Sequence, residues 1–385
     1  MIYKSASSSL PNAYRAGSEI GESLRAINPE AILLFTSITF DRDYGDFFSG
    51  LYDALGTSDV TVFGGTGDGI YETELTAHYG VCALGFASQG TVRWGAALLS
   101  GVGGNSEAVS RRCAAMALER LDSDVSWAFV LADGVTADGT GVAVGVGSVL
   151  PVPFVGGMTG DDRKFTSSRI FLNGTVIEDG VGVLLAQGDF PSFACTTSGF
   201  SPLGAVGVVE ESQGKTVSKI SGMTAQAFIK VQLGKTLADT DHGIIALAAY
   251  TDISMQQSFL RSSSAIDNQT ESVRFFGSIP QGAMVRVSCA GRDQLLDGVR
   301  KCLDAVSRSG FQPAAAIVVS CAGRKWQLNN CGQEEVALLQ EALGAELPLV
   351  GFPSFGELGA FCNNDGTCTP SYFHNASLVI CLLGS

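Results

Sequence analysis

Continuous apolar runs alternate with amphipathic segments along most of this chain, and this alternation limits the folds that it can adopt. Ala31–Ser37 has the composition of a strand that is buried on both faces. Asn105–Leu121 and Asp293–Val306 place their apolar residues along one stripe of a helix. Strands that alternate with helices are typical of sheets covered by helices. The pattern therefore predicts an α/β protein with mixed β-sheets flanked by helices.

The length of 385 residues favours two or three domains. We place a boundary near Gly214–Ser221, which gives one domain at 25–215 and a second at 216–383, each a mixed sheet flanked by helices. The segment Ser254–Glu271 is polar and rich in Ser, Gln and Asn, so it predicts a surface excursion.

The charge composition excludes one class of partner. The chain has 24 Lys and Arg against 38 Asp and Glu, with a net charge of −14 and no basic cluster. Binding to a phosphate backbone requires clustered basic residues, so we exclude nucleic acid. No apolar run reaches the roughly 18 residues of a membrane span, and Met1–Leu10 lacks the apolar core of a signal peptide. We expect no membrane insertion and a cytoplasmic location.

The cysteines predict neither a zinc site nor a thioredoxin-type site, because the sequence contains no C-x-x-C pair. Cys195 and Cys321 lie in apolar, strand-like runs, and Cys302 falls at a core position of a helix. We expect these three to act as small hydrophobic residues. Cys362 and Cys368 flank N-N-D-G-T, where a hairpin disulfide is the alternative to two free thiols.

Three turns have the same form, in which a short apolar strand runs into glycines and then an acid. They are Val62–Gly69, Val155–Asp162 and Leu349–Gly359. Ligands commonly bind at the carboxyl ends of strands in sheets of this kind. Three tight structural turns would produce the same pattern, so both interpretations stay open.

Motifs for catalysis are absent. The sequence has no complete phosphate-binding loop, no G-x-S-x-G and no H-E-x-x-H. The hexapeptide V-S-C-A-G-R occurs at Val287–Arg292 and again at Val319–Arg324. Arg324 precedes Lys325 and Trp326, and such a cluster can recognise a carboxylate or form a structural salt bridge. A cysteine-dependent hydrolase at Cys321 is a third hypothesis and would need a nearby base.

Several segments resemble the FIST family over residues 25–383. Gly310–Arg324, Leu347–Gly359 and His374–Val379 are similar to its C-terminal domain in order and spacing. Pro153–Asp162, together with the later R-I-F-L-N-G-T-V and D-G-V-G-V-L-L, resembles its N-terminal domain. The first glycine turn departs from the family, because Gly65 and Thr66 stand where Cys and Ser or Thr are frequent.

The resemblance implies a stand-alone sensory protein of signal transduction. Family members bind small ligands, for which amino acids have been suggested, and some are fused to histidine kinases or cyclic-di-GMP enzymes. We therefore expect a small-molecule ligand, a separate partner protein of one of these kinds, and no catalysis. No cofactor is predicted. The alternative is a haem-based nitric-oxide sensor with His242 or His374 as the axial ligand.

The resemblance also implies which residues bind the ligand. An Arg, an acid and glycine-backed N–H groups can together hold both ends of a zwitterion. The implied ligand-binding residues are Gly156, Gly157, Thr159 and Asp161 in the first domain, and Cys321, Arg324, Phe355, Glu357 and Asn375 in the second.

Overall fold

The α/β class with mixed sheets flanked by helices is confirmed. The computed structural model describes residues 1–122, 124–250, 258–329, 332–361 and 368–385. It contains 26% helix and 39% strand. The strands of this described part form three six-stranded sheets and one seven-stranded sheet.

Three segments of the chain fold in the same order of elements, and we call them repeats. Each has a strand, a helix, a second strand, further helix, a third strand, a short hairpin and a closing strand. The first repeat contains β1 (Ile2–Ser8), α1 (Ala13–Arg25), β2 (Ala31–Thr36), α2 (Tyr44–Leu55), β3 (Thr61–Thr66), β4 (Ile70–Glu72), β5 (Thr76–Ala77) and β6 (Val81–Ala87). The second contains β7 (Arg93–Ser100), α3 (Ser106–Leu118), β8 (Val125–Asp133), α4 (Gly139–Gly147), β9 (Val155–Thr159), β10 (Ile170–Leu172), β11 (Thr175–Ile177) and β12 (Gly180–Gln187).

The third repeat carries an insertion after its first strand, β13 (Ser192–Thr197). The insertion comprises β14 (Ser201–Gln213), β15 (Thr216–Ile220), β16 (Met223–Thr224), α5 (Ala225–Leu233), β17 (Ala246–Tyr250), β18 (Ser258–Asp267), β19 (Ser272–Phe275) and β20 (Met284–Cys289). The repeat resumes with α6 (Arg292–Ser309), β21 (Ala315–Cys321), α7 (Ala322–Gln327), α8 (Gln333–Leu343), β22 (Leu349–Ser354), β23 (Glu357–Gly359), β24 (Tyr372–His374) and β25 (Leu378–Leu383).

Each repeat donates its hairpin to the sheet of another repeat. The three strand orders are β1-β6-β2-β3-β10-β11, β7-β12-β8-β9-β23-β24 and β13-β25-β21-β22-β4-β5. The first repeat thus completes the sheet of the third, the second completes that of the first, and the third completes that of the second. This cyclic exchange interlocks the three repeats through backbone hydrogen bonds.

The inner faces of the three sheets share one hydrophobic core. It includes Phe35 and Phe63 from the first repeat, Trp127 from the second, and Val319 and Phe352 from the third. The outer face of each sheet is covered by the helices of its own repeat. Side chains cap the start of some helices; for example, Asn105 precedes α3, and its side chain accepts a hydrogen bond from the backbone of Ala108.

The inserted sheet is closed into a barrel-like form. Its strand order is β14-β20-β17-β18-β19-β15-β16, and β14 also pairs with β15. The expectation of a surface excursion at Ser254–Glu271 is wrong for residues 258–263, which belong to β18 and are largely buried, because β18 pairs with β17 and β19. It is correct for residues 267–271, which are exposed, and residues 254–257 lie outside the described part. Buried Arg261 donates to the carbonyl of Phe373 at 3.0 Å, and this hydrogen bond offsets part of the cost of burying a polar strand.

The expectation that Cys195 and Cys302 are free hydrophobic residues is wrong. They form a disulfide between β13 and α6. The two cysteines are 107 residues apart in the chain because the insertion lies between them, so their pairing was not readable from spacing. Cys368 is also disulfide-bonded; Cys362 lies outside the described residues.

Two further expectations concern domains and membranes. The boundary near Gly214–Ser221 falls within the inserted sheet, at the turn between β14 and β15, and the two-domain division stays a prediction. Within the described residues, no helix is both long enough and apolar enough to cross a bilayer.

Candidate functional site

A cavity of about 630 Å³ lies where the inserted sheet meets the third repeat, and we call it the α6 cavity. One wall comes from residues 196–202 and from α6. The opposite wall comes from β17, β18 and β20, and the residues around β24 complete it. Its polar lining includes Ser198, Ser288, Gln294, Asp297, Lys301, His374, Asn375 and Ser377.

Glycine allows the wall of this cavity to pack closely against α6. Gly199 has a φ of +73°, which residues with a side chain rarely adopt. A Cβ atom there would lie 2.3 Å from the carbonyl oxygen of Gln294 on α6. A larger residue at Gly199 would therefore clash with the backbone of α6.

Two buried polar atoms in the cavity wall lack a hydrogen-bond partner among the described residues. They are Oδ1 of Asn375, in a residue that is 2% exposed, and Oγ of Ser288, in a residue that is 0% exposed. A buried polar atom without a partner is unfavourable, and such atoms are usually satisfied by water or ligand. Both residues line the α6 cavity, which makes a molecule bound there one candidate partner for each atom.

Charged groups of both signs lie on α6 at the edge of the cavity. Lys301 is exposed, and Asp297 accepts a hydrogen bond from Arg300 at 2.6 Å. Asp297 and Lys301 are four residues apart, so they lie on the same face of the helix. The cavity therefore offers an anion, a cation and uncharged hydrogen-bonding groups together.

Three predicted site residues meet beside the α6 cavity. Cys321, Phe355 and Asn375 line a void of about 20 Å³, which is large enough for one water molecule. Ser262, whose buried Oγ has no partner within the described part of the chain, also lines it. Asn375 lines both spaces and so separates the void from the α6 cavity.

The thiol of Cys321 is not activated. Cys321 is buried, and desolvation raises the pKa of its thiol well above the ordinary value, with the charge of Glu357 acting in the same direction. The thiolate is the nucleophilic form of cysteine. This environment therefore does not support the hypothesis of a cysteine-dependent hydrolase.

Arg324 makes hydrogen bonds inside the protein with all three guanidinium nitrogens. Nε and Nη2 donate to Oε1 of Glu335 at 2.9 and 2.6 Å. Nη2 also donates to the carbonyl of Leu295, and Nη1 donates to the carbonyl of Ser198. Arg324 and Glu335 are both fully buried. This is the salt-bridge alternative that the sequence left open, and a ligand contact by Arg324 stays a prediction.

Glu357 is a buried acid held by serines. Oε1 accepts from Oγ of Ser354 at 2.6 Å, and Oε2 accepts from the backbone and hydroxyl of Ser377 at 3.1 and 2.7 Å. Burial raises the pKa of Glu357 to about 7, although these hydrogen bonds oppose the shift. Because Ser377 lines the α6 cavity, Glu357 orients one of its walls.

The predicted residues of the second repeat lie apart from the α6 cavity. A Cβ atom on Gly156 would lie 1.8 Å from the carbonyl oxygen of Val130, and Gly157 is buried in β9. Thr159 is paired with Ser168 at 2.7 Å. The carboxylate of Asp161 accepts the backbone N–H groups of residues 165–167. In the structure these four residues stabilise β9 and the turn that follows it. Ligand binding by them stays a prediction.

The three glycine turns meet in space and are joined by backbone hydrogen bonds. The backbone N–H of Asp68 donates to the carbonyl of Pro353 at 2.8 Å. In the same way the N–H of Gly160 donates to the carbonyl of Thr66 at 2.9 Å, and the N–H of Phe355 donates to the carbonyl of Met158 at 3.0 Å. Each bond joins a different pair of repeats. The turns therefore occupy corresponding places in the fold, and each is joined to the other two by backbone hydrogen bonds.

The two histidines proposed as axial ligands do not fit a haem in the α6 cavity. The ring of His374 is buried, and its Nε2 is already hydrogen-bonded to the carbonyl of Gly359 at 3.0 Å. His242 is not among the residues that line this cavity. The walls are rich in hydroxyl and charged groups rather than in the apolar side chains that cover a porphyrin. The described residues likewise contain no cluster of three or more His, Cys, Asp or Glu placed to hold a metal.

Sequence reasoning missed Ser288, Asp297 and Lys301. Ser288 lies in the first V-S-C-A-G-R copy, which the sequence singled out without a role for the serine. Asp297 and Lys301 are on the polar side of α6. The sequence pattern predicted this helix from its apolar stripe and assigned no function to its polar side. Only the insertion, which carries β20 across from α6, brings these residues together.

Comparison with known proteins identifies the family. The FIST N domain matches residues 30–223, and the FIST C domain matches residues 222–360. The chain therefore belongs to the FIST family, as the sequence predicted. FIST domains are small-ligand sensory domains of signal transduction. No curated protein matches this sequence.

Two solved structures that this chain resembles are distant in both sequence and fold. Cyanuric acid hydrolase from A. caulinodans aligns with a TM-score of 0.38 and 10% identity, over 100% of this chain and 99% of the hydrolase. Phosphoribosylformylglycinamidine synthase II from Thermotoga maritima aligns with a TM-score of 0.21 and 11% identity, over 99% of this chain and 71% of the synthase. At these scores neither similarity bears on the function of this protein.

Proposed function

We propose that this protein is a sensor that binds a small polar metabolite in the α6 cavity and signals to a separate partner protein. The observation that carries the proposal is the pair of buried, unpartnered atoms in its wall, Asn375 Oδ1 and Ser288 Oγ. A volume of about 630 Å³ is within the range of small-molecule sites. Segments from both FIST domains line the cavity, as expected for a ligand that affects their contact.

The chemistry of the lining favours a zwitterion such as an amino acid. Lys301 supplies a cation for a carboxylate, and Asp297 supplies an anion for an ammonium group. Asn375 and Ser288 supply hydrogen bonds deeper in the cavity. This arrangement replaces the role that the sequence analysis gave to Arg324, whose guanidinium is engaged with Glu335.

Ligand binding would be transmitted through α6 and residues 196–202. These elements form one wall, and Arg324 links them by donating to the carbonyls of Leu295 and Ser198. A ligand that joins this wall to β20 would hold the inserted sheet against the third repeat. The proposed partner is a histidine kinase or a cyclic-di-GMP signalling protein. It would recognise the junction between the inserted sheet and the third repeat.

The first experiment is a thermal-shift screen of amino acids and related metabolites, followed by calorimetric titration of the best ligand. We expect Asn375→Ala and Lys301→Gln each to weaken binding at least tenfold. Lys230→Gln is the matched control, because Lys230 is an exposed lysine on α5 that lies outside the cavity lining. Saturable binding that neither cavity variant changes would refute the assignment of this site.

The cytoplasmic location stays a prediction, and one observation counts against it. Disulfides persist mainly in oxidising compartments, and Cys195 is bonded to Cys302. Alkylation of free thiols in denatured extracts of the native cells, followed by mass spectrometry, would measure the oxidised fraction. A fully oxidised pair would contradict a reducing cytoplasm.

A further inference from the structure

A second cavity, of about 320 Å³, lies between the inserted sheet and the second repeat, and we call it the aromatic cavity. It shares no lining residue with the α6 cavity. Gly134, Val135 and Met158 of the second repeat form one side, and Ser264 and Ala265 of β18 form part of the other. It is therefore a separate site.

Phenylalanine rings dominate the walls of the aromatic cavity. Phe165, Phe276, Phe355 and Phe373 all line it. The ring of Phe165 is stacked on Phe355 with centroids 4.5 Å apart and on Phe276 with centroids 6.0 Å apart. Phe165 is nevertheless 39% exposed, which is unusual for a large apolar side chain with two ring partners. These rings present flat apolar surfaces to an occupant.

Two cations complete the lining, and the described lining includes no acid. Nζ of Lys215 donates to the carbonyl of Ala137 at 3.1 Å, which leaves two of its protons for other acceptors. Arg274, on β19, is exposed, and its guanidinium has no hydrogen bond or ion pair within the described part of the chain. Asp138 lies near Lys215 but is not part of the lining.

We propose that the aromatic cavity binds a small aromatic carboxylate. The ring of such a ligand would pack against the outer surface of the cluster formed by Phe165, Phe276 and Phe355, and its carboxylate would pair with Arg274 and Lys215. A planar guanidinium accepts a carboxylate in two parallel hydrogen bonds, and a nearby ammonium adds a third contact. A cavity that combines aromatic walls with cations selects against both charged non-aromatic molecules and uncharged rings.

The test uses 2-naphthoate as the probe and 2-naphthalenemethanol as its uncharged counterpart, both titrated calorimetrically against the full chain. We expect saturable, one-to-one binding of naphthoate and at least tenfold weaker binding of the alcohol. Arg274→Gln should weaken naphthoate binding at least tenfold. Arg286→Gln is the matched control, because Arg286 lies on β20 of the same sheet and outside this cavity.

A second pair of variants separates charge from folding. Lys215→Gln should weaken naphthoate binding, whereas Lys219→Gln, four residues further along the chain on β15, should not. Thermal melts followed by circular dichroism identify any variant that fails to fold. If one of the two variants, Arg274→Gln or Lys215→Gln, does not fold, the binding measured for the other one tests the proposal. The proposal is overturned if naphthoate does not saturate, if the alcohol binds equally well, or if both Arg274→Gln and Lys215→Gln bind as tightly as their controls. It is also overturned if Lys301→Gln abolishes binding, because that would place naphthoate in the α6 cavity.

Discussion

Glu357 and His374 stand directly opposite each other on the antiparallel strands β23 and β24. Both side chains are buried, and burial moves their pKa values in opposite directions. The pKa of Glu357 rises to about 7, and that of His374 falls to about 4. In each case desolvation disfavours the charged form. The folded state therefore favours the neutral form of both Glu357 and His374.

The pH dependence of stability should reveal these two groups separately. Glu357 binds its proton more tightly when folded, so its contribution to the free energy of unfolding falls as pH rises from about 4.5 to about 7. His374 binds its proton less tightly when folded, so its contribution falls as pH drops from about 6.5 to about 4. Each full effect is worth roughly 3 kcal/mol. The two slopes oppose each other between pH 4.5 and 6.5.

Urea unfolding across pH 4–8 measures both contributions. Glu357→Gln should remove the loss of stability at rising pH and leave the loss at falling pH. His374→Gln should do the reverse. If the two variants have the pH profile of the parent protein, the pKa values of these side chains are not shifted by the fold.

Arg324→Ala should destabilise the protein strongly. Glu335 would remain buried without its cation, and removal of one partner of a buried ion pair typically costs about 3–5 kcal/mol. The repeated hexapeptide supplies a matched control, because Arg292 forms an exposed pair with Glu334. Arg292→Ala should change stability little, since exposed ion pairs contribute little. Urea unfolding measures both. Equal, small effects would show that Arg324 is available for another role, such as ligand binding.

Loss of the Cys195–Cys302 disulfide should lower stability and loosen the α6 cavity. The bond closes a loop with a sequence separation of 107, for which chain entropy predicts about 4–5 kcal/mol. Thr196 and Lys301, which adjoin the two cysteines, line the cavity. The double variant Cys195→Ala/Cys302→Ala should therefore melt earlier and bind the ligand more weakly. Cys289→Ala, at a free cysteine, is the control. Identical melting of both variants and the parent would argue that the disulfide does not form in solution.

Cys321 should be inert to alkylation near pH 7. Its thiol is buried, and burial raises its pKa, so little thiolate forms. Cys289 is a partly exposed free thiol and should react with iodoacetamide before Cys321 does. Peptide mass spectrometry over time follows each site. Selective early labelling of Cys321 would restore the hypothesis of a nucleophilic cysteine.

The polar strand β18 shows where local sequence misleads. Ser262 and Ser263 are buried in a strand that composition assigned to the surface. Ser263 Oγ donates to the carbonyl of Ile245 at 3.3 Å, a partner 18 residues away. Hydrophobic periodicity indicates which side chains are stabilised by leaving water. It carries no information about the hydrogen bonds that a distant strand supplies to a buried polar side chain.

The two copies of V-S-C-A-G-R make the same point for the site. Arg292 begins α6 on the surface, and Arg324 is buried beside Glu335. The five identical residues before each arginine thus gave no means of distinguishing a surface pair from a buried one. The difference arises from which helices pack over each residue.

Local sequence alone determined the α/β class, the FIST resemblance and the three glycine turns, because each depends on residues close together in the chain. The cyclic exchange of hairpins, the Cys195–Cys302 bond and the meeting of Ser288 with Lys301 were decided only by the tertiary structure. These features join segments separated by an insertion or by a whole repeat. The free energy that selects such contacts comes from burying both segments together, and neither segment carries that information by itself.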